Sequence, residues 1–482
     1  MRILLVGSEA LPFAKTGGLA DVLGALPAAL RDVGHDASLL MPLYPQVDRG
    51  LLSPTERRVR VEVGAMNVEL RVWRALQGDA LFLENDHLFG TRDFYGGAEH
   101  ELASRWIAFG RAVVEILRDP PDGRPFDVLH ANDWQTGLVP AWLRTRDSSD
   151  PHLARVATVF TIHNLAYQGC FSVDLFPLLG IDWRHFNLRE LEFWNTVSFL
   201  KAGLVYADEI TTVSEKYARE ILTPEAGNAL DGVLRDRAAD LHGVLNGIDT
   251  AAWDPETDRL IPARYSARNP RPRDLCRSAL MREAGLPRAD EVPLAGMITR
   301  FASQKGLELV LDRMDAVLAR VRLVVLGSGE SRYEARLRDA ARARPDRLSV
   351  TVGYDESFAH RIEAGSDLFF MPSLYEPCGL NQMYSLRYGA VPVVRATGGL
   401  DDTVIDADAE PARGNGFKFE AFDPDAFVAA LDRALAARRD AARWAAIRAR
   451  GMASDFSWDS AARKYAAIYE RATEKSARRA AA

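Results

Sequence analysis

Cysteine is scarce in this chain of 482 residues: there are three, Cys170, Cys276 and Cys378. Three widely spaced thiols make no disulfide framework and no metal-ligand spacing, and they suit a reducing compartment. No apolar run approaches the roughly 18 residues of a membrane span. The opening Met1-Arg2-Ile3-Leu4-Leu5-Val6-Gly7 is too short for a secretory core and meets Glu9. An excess of basic charge is also missing. Sixty Lys and Arg stand against 67 Asp and Glu, net −7. Adhesion to nucleic acid or to an anionic membrane is therefore not expected. With 35 Gly, 24 Pro and 48% hydrophobic residues, the chain is neither collagenous nor disordered. A soluble, cytoplasmic protein is expected.

At about 150 residues per domain the length suggests three domains. The pattern argues for two. In the first half, short apolar runs at 2–6, 37–41, 79–83, 126–130, 156–162, 210–213 and 241–245 predict strands. Helical spacing lies between several of them. Val22, Leu26, Leu30 and Val33 predict a helix that Pro27 should kink or whose regular part it should delay. Runs at 57–63 and 68–75 alternate like a hairpin. Residues 250–290 change character, rich in Pro and charge, and read as a hinge with a helix near 276–284. Strands at 294–299, 322–326, 348–352, 367–371 and 391–394 then alternate with helices at 307–319, 333–343, 358–364 and 381–388. Long helices follow at 425–453 and 460–472. This is an α/β protein of two Rossmann-like, doubly wound lobes. The expected domains are 1–245, 246–457 and a terminal helix, 458–482, crossing back to the first lobe.

One hexapeptide is nearly repeated, identical at five of six positions. Thr16-Gly17-Gly18-Leu19-Ala20-Asp21 follows the first strand, and Thr397-Gly398-Gly399-Leu400-Asp401-Asp402 follows the last. Glycine lets backbone approach a ligand, and a helix start offers free N–H groups. Alone, either motif is an ordinary turn. The repetition, with Lys15 beside the first copy, points to a diphosphate. No G-x-G-x-x-G and no P-loop is present, which disfavours a dehydrogenase or an NTPase. Arg300 and Lys305 flank a further post-strand loop. Fixed cations there could stabilise a leaving diphosphate without a metal. A lone Lys or Arg is usually a solvated charge; three at strand ends are harder to dismiss.

Glu376 stands in Tyr375-Glu376-Pro377-Cys378-Gly379-Leu380, after a strand and before a helix. It could bond sugar hydroxyls, stabilise an oxocarbenium-like centre, or merely complement a helix dipole. Cys378 has no paired histidine and is taken as a loop residue. His163, in Thr161-Ile162-His163-Asn164-Leu165-Ala166-Tyr167-Gln168-Gly169, ends a strand and could donate to a sugar hydroxyl. In His130-Ala131-Asn132-Asp133-Trp134, Asp133 could accept from hydroxyls. Trp134 could be an aromatic platform for carbohydrate or a core residue.

These residues resemble a family. Lys15 to Asp21, His163 to Gly169, Asn246-Gly247-Ile248-Asp249, Arg300 with Gln304-Lys305-Gly306, Glu376 to Leu380 and Thr397 to Leu400 are similar to motifs of bacterial glycogen synthases and plant starch synthases. They run in family order over nearly the whole chain. The resemblance implies the GT-B fold, two Rossmann lobes facing a cleft. It implies retaining transfer of glucose from ADP-glucose to the non-reducing 4-hydroxyl of an α-1,4-glucan, with no metal or other cofactor. Lys15, Gly18 and Asp21 would belong to the distal-phosphate loop. Arg300 and Lys305 would neutralise the pyrophosphate, and Tyr354 would stack on adenine. Glu376, His163 and Asn246 would orient the glucose, helped by the amides of Cys378, Gly379 and Leu380. Thr397 and Gly399 would lie near the phosphates. Tyr95, Asp133 and Trp134 would serve the acceptor. Two departures stand out. Asn132 replaces a histidine common in bacterial members, and Tyr384 occupies the second position of the wider E-x₇-E pattern. Another GT-B donor such as UDP-glucose, or a non-catalytic glucan binder, are the alternatives; a phosphorylase lacks its pyridoxal-lysine signature here.

Overall fold

The computed structural model describes residues 1–287 and 291–481. The end of the segment expected over 250–290, and the last residue of the helix expected over 458–482, lie outside them. The chain divides into two units, Met1–Gly247 with Trp458–Ala482, and Ile248–Ser457.

The first unit is built on a nine-stranded sheet. Across it run Leu241–Gly243, Glu209–Thr212, Ala157–Ile162, Val128–Asn132, Arg2–Val6, Asp36–Pro42, Ala80–Glu84, Met66–Ala75 and Leu52–Val63. The last two are antiparallel and form the expected hairpin; the others are parallel. Arg2–Val6 is central, and Ile3, Leu4, Leu5 and Val6 are wholly buried. A parallel strand covered on both faces must be continuously apolar, as this one is. At the edge, Val59, Val61 and Val63 turn inward while Arg58, Arg60 and Glu62 face solvent. Outward charge blunts edge-to-edge pairing. The strand order reverses beside Arg2–Val6, so the loops after it and after Val128–Asn132 diverge at a switch point, where α/β sheets bind ligands.

The helix Gly18–Asp32 contains Pro27 and is unbroken. The proline does not end it. Leu23, Leu26 and Leu30 are buried beside the proline, and that packing outweighs one missing N–H bond. The terminal helix Trp458–Ala481 buries Ala461, Ala462, Tyr465, Ile468, Tyr469 and Ala472, a helical stripe. Tyr469 Oη lies 2.8 Å from His130 Nδ1, and Lys475 Nζ lies 2.8 Å from the buried Glu209. A small sheet of Cys170–Ser172, Glu192–Phe193 and Thr196–Ser198 was not legible in the sequence.

The second unit has a six-stranded parallel sheet, in order Leu348–Val352, Arg322–Gly327, Leu294–Ile298, Leu368–Met371, Val391–Arg395 and Phe417–Phe419. Its order reverses between Leu294–Ile298 and Leu368–Met371. Two expected helices are each divided. Leu307–Leu311 precedes Met314–Arg320. Pro424–Arg439 precedes Ala441–Met452, where Asp440 accepts from the N–H groups of Ala442 and Arg443. That is an N-cap, which starts a new helix. The segment read as a hinge is packed onto this unit. The Trp253 ring is stacked between His360 (3.7 Å) and Tyr384 (3.9 Å). Asp258 accepts from Tyr388 Oη at 2.7 Å and meets His360 Nδ1 at 2.8 Å.

Candidate active site

The expected functional residues stand after the carboxyl ends of strands in both units. In the second unit the switch point brings two of them together. Lys305 follows Leu294–Ile298 and Glu376 follows Leu368–Met371. Lys305 Nζ donates to Glu376 Oε2 at 2.7 Å and Oε1 at 2.9 Å. Ser373 Oγ donates to Oε2 at 3.0 Å. Glu376 is 6% exposed, so the carboxylate is held by three charge-assisted contacts in a nearly dry place. Ser373 was missed in the sequence; its position just past the strand end is the signal that could have found it. Arg300 is exposed and makes no ion pair among the described residues. Tyr354 follows Gly353 and is 78% exposed.

The two glycine motifs are not equivalent. At Gly18 a side-chain carbon would meet nothing within 4 Å. The helix it starts is 15 residues long, and Lys15 beside it pairs with Asp21 at 2.7 Å. In the second copy, Gly398 has φ 45°, and a side chain there would collide with the Glu376 carbonyl oxygen; one at Gly399 would collide with that of Cys378. The Gly399 N–H donates to the carbonyls of Glu376 (3.1 Å) and Pro377 (3.2 Å), and the Thr397 N–H to Arg395 (2.9 Å). The second pair of glycines thus lets backbone close onto the 376–378 loop. That loop also holds Cys378, Gly379 at φ 71° and Leu380 before the helix Asn381–Tyr388.

In the first unit, Val128–Asn132 and Ala157–Ile162 bring Asn132, Asp133 and His163 together. The Asn132 amide donates to the carbonyls of Val6 and His130, both at 3.1 Å. Its Oδ1 is left to accept from His163 Nε2 at 2.9 Å. The ring therefore carries its proton on Nε2, and Nδ1 keeps a lone pair. It presents an acceptor at Nδ1, whereas the sequence suggested a donor. Burial holds this imidazole neutral, pushing its pKa down to about 3. Asp133 has φ 56° and accepts the His163 N–H at 2.8 Å. Burial, with the Glu9 charge adding, pushes its carboxyl up to about 7. Tyr95 Oη is hydrogen-bonded to Ser8 Oγ at 2.9 Å, and burial raises its phenol. Trp134 packs as a core residue. It is 8% exposed and wedged among Trp106, Phe171 and Phe199. Asn246 is buried, its Oδ1 without a partner among the described residues. No group of three or more His, Cys, Asp or Glu able to hold a metal ion occurs among the described residues.

Two doubly wound lobes with a cation–carboxylate pair at a switch point define a GT-B glycosyltransferase. Residues 2–236 match the starch synthase catalytic domain family, and residues 283–450 match the glycosyl transferases group 1 family. A glycogen synthase of Anaeromyxobacter sp. (strain Fw109-5) is 51% identical over 477 residues, covering 97% of this chain and 99% of its own. That of Myxococcus xanthus is 47% identical over 480 residues, with 97% and 99% covered. The catalytic domain of starch synthase IV from Arabidopsis thaliana, bound to ADP and acarbose, superposes with a TM-score of 0.90 at 32% identity, over 98% of this chain and 99% of that one. The chain belongs to the glycogen synthase family of glucosyltransferases.

Proposed function

We propose that the protein transfers glucose from ADP-glucose to the non-reducing 4-hydroxyl of an α-1,4-glucan, with retention, in glycogen synthesis. The observation that carries this reading is the Lys305–Glu376 pair at the switch point, held by Ser373, with an unpaired Arg300 beside the same strand end. ADP-glucose, a substrate, and the α-1,4-glucan (glycogen) are the partners; no cofactor, metal, nucleic acid or membrane enters. Among the described residues, no helix is long and apolar enough to cross a membrane.

Arg300 and Lys305 would take up the charge that grows on the departing diphosphate. Glu376 would hold sugar hydroxyls, with the Cys378, Gly379 and Leu380 amides and Asn246 assisting. Tyr354 would stack on adenine, and Thr397 and Gly399 would border the phosphates. Lys15, Gly18 and Asp21 would form the distal-phosphate loop. His163, neutral, would accept a hydrogen bond from a sugar hydroxyl at Nδ1 and so help orient the glucose, near the acceptor contacts of Tyr95 and Asp133. The diphosphate oxygen itself would take the acceptor's proton, so glucose is delivered and accepted on one face. A trapped covalent glucosyl-enzyme would overturn that last step.

ADP release, measured with ADP-glucose and with UDP-glucose, each with and without glycogen, tests the reading. Release that needs both ADP-glucose and glycogen supports it. Preference for UDP-glucose would reassign the donor. Glycogen binding without any release would make the protein a non-catalytic binder.

A further inference from the structure

Glu9 lies at the inner side of the turn that leads into the helix Gly18–Asp32. It is 3% exposed. Its Oε2 accepts from the Thr16 N–H, from Thr16 Oγ1 at 2.9 Å and from the Gly17 N–H at 3.2 Å. Neither family motif nor spacing singled it out. The rest of the turn is knitted to the helix as well: the Leu11 N–H donates to Ala20 at 2.9 Å, and the Phe13 and Ala14 N–H groups donate to Ala10 at 2.9 Å.

A helix start offers several free N–H groups to an anion. Here a carboxylate of the chain itself takes the two that precede Gly18. Its hydrogen bonds turn the Thr16 and Gly17 peptide planes inward. Gly18, where a side-chain carbon would meet nothing within 4 Å, and Lys15 are left exposed. Lys15 does not pair with Glu9; its partner is Asp21.

We infer that Glu9 is a positioning residue: an internal anion that shapes the Lys15–Gly18 loop so that one amide and one ammonium are presented to the donor's phosphate. It does not touch the substrate. It selects which donors of the turn remain for it. Burial raises its pKa, and the bonds from Thr16 and Gly17 oppose that rise. The inference rests on the loop binding the donor's phosphate, as proposed above.

The test uses the full-length protein with Glu9→Gln, Thr16→Ala, Lys15→Ala and the Glu9→Gln/Lys15→Ala pair. ADP affinity is read by calorimetry, and KM for ADP-glucose and for glycogen by ADP release. Glu9→Gln should weaken ADP about tenfold, the scale of one hydrogen bond to a charged group. It should raise KM for ADP-glucose and leave KM for glycogen unchanged. Thr16→Ala, which removes only the hydroxyl donor, should do the same more weakly. In the Lys15→Ala background Glu9→Gln should add less than about threefold, because both act through one loop. If Lys15→Ala weakens ADP while Glu9→Gln and Thr16→Ala do not, Glu9 is no more than a fold residue and the inference fails. Full additivity with Lys15→Ala, or a rise in the glycogen KM instead, overturns it as well. If Lys15→Ala itself leaves ADP affinity intact, the phosphate-loop reading falls and takes the inference with it. Should Glu9→Gln not fold, Thr16→Ala alone decides.

Discussion

Lys305 Nζ lies 2.7 Å from Glu376 Oε2 and 2.9 Å from Oε1, spanning two loops 71 residues apart in the chain. Cation and carboxylate are thus each other's partners before any donor arrives. Removing the carboxylate frees the ammonium for a phosphate. Glu376→Ala should therefore lower turnover by about 10²–10³-fold, the scale of one preorganised electrostatic group. Binding of ADP should be kept or tightened. Steady-state turnover and calorimetry with ADP check this; near-normal turnover removes Glu376 from the chemistry.

Removing the other partner has a different signature. Lys305→Ala leaves Glu376 buried and unpaired apart from Ser373, which should cost roughly 3–5 kcal/mol of stability as well as turnover. The double variant Lys305→Ala/Glu376→Ala should recover stability but not activity. Denaturant midpoints and ADP-release rates on the same samples separate the two effects.

Groups around the first unit's switch point contribute to the acid side of the stability curve. Burial pushes both His163 and His130 down to about 3, from an ordinary 6.5. Between those values the unfolded chain binds protons that the folded chain refuses, so these two make stability rise with pH. Asp133, pushed up to about 7 from 3.8, acts oppositely: folded, it holds a proton that the unfolded chain has released, so its contribution falls as pH rises through that window. Each group alters the slope by up to about 1.4 kcal/mol per pH unit. His163→Gln should flatten the melting curve between pH 4 and 6, and Asp133→Asn should steepen it. Melting temperatures across that range decide; the reverse order would mean the assigned shifts are wrong.

The terminal helix should be needed for the first unit's stability. Tyr469→Phe leaves His130 Nδ1, 2.8 Å from the lost hydroxyl, without that partner. The cost should be about 1–3 kcal/mol, with ADP affinity unchanged. Chemical unfolding gives the first quantity and calorimetry the second.

Much of the scaffold was legible because its signals are local. The Arg2–Val6 run, the 52–75 hairpin and the helix Asn381–Tyr388 follow from period and punctuation alone. Pro27 is carried inside an unbroken helix, its local cost outweighed by the burial of its neighbours. Asp440 could have been read as a cap dividing the 425–453 stretch. The small sheet of 170–198 has strands of two or three residues, too short to carry a period.

By itself the sequence determined the two α/β units, the strand-end placement of Lys15, His163, Arg300 and Glu376, and the family they belong to. Those properties depend on residue type and near-neighbour spacing. The tertiary structure decided who meets whom. It paired Lys305 with Glu376 and added Ser373, turned Asn132 Oδ1 toward His163, and put Trp134 into the core. It also made the repeated glycine motifs unlike, one open at Gly18 and one closed on the 376–378 loop. The reason is physical: identical short sequences offer the same backbone freedom, and the neighbours that use it come from distant strands.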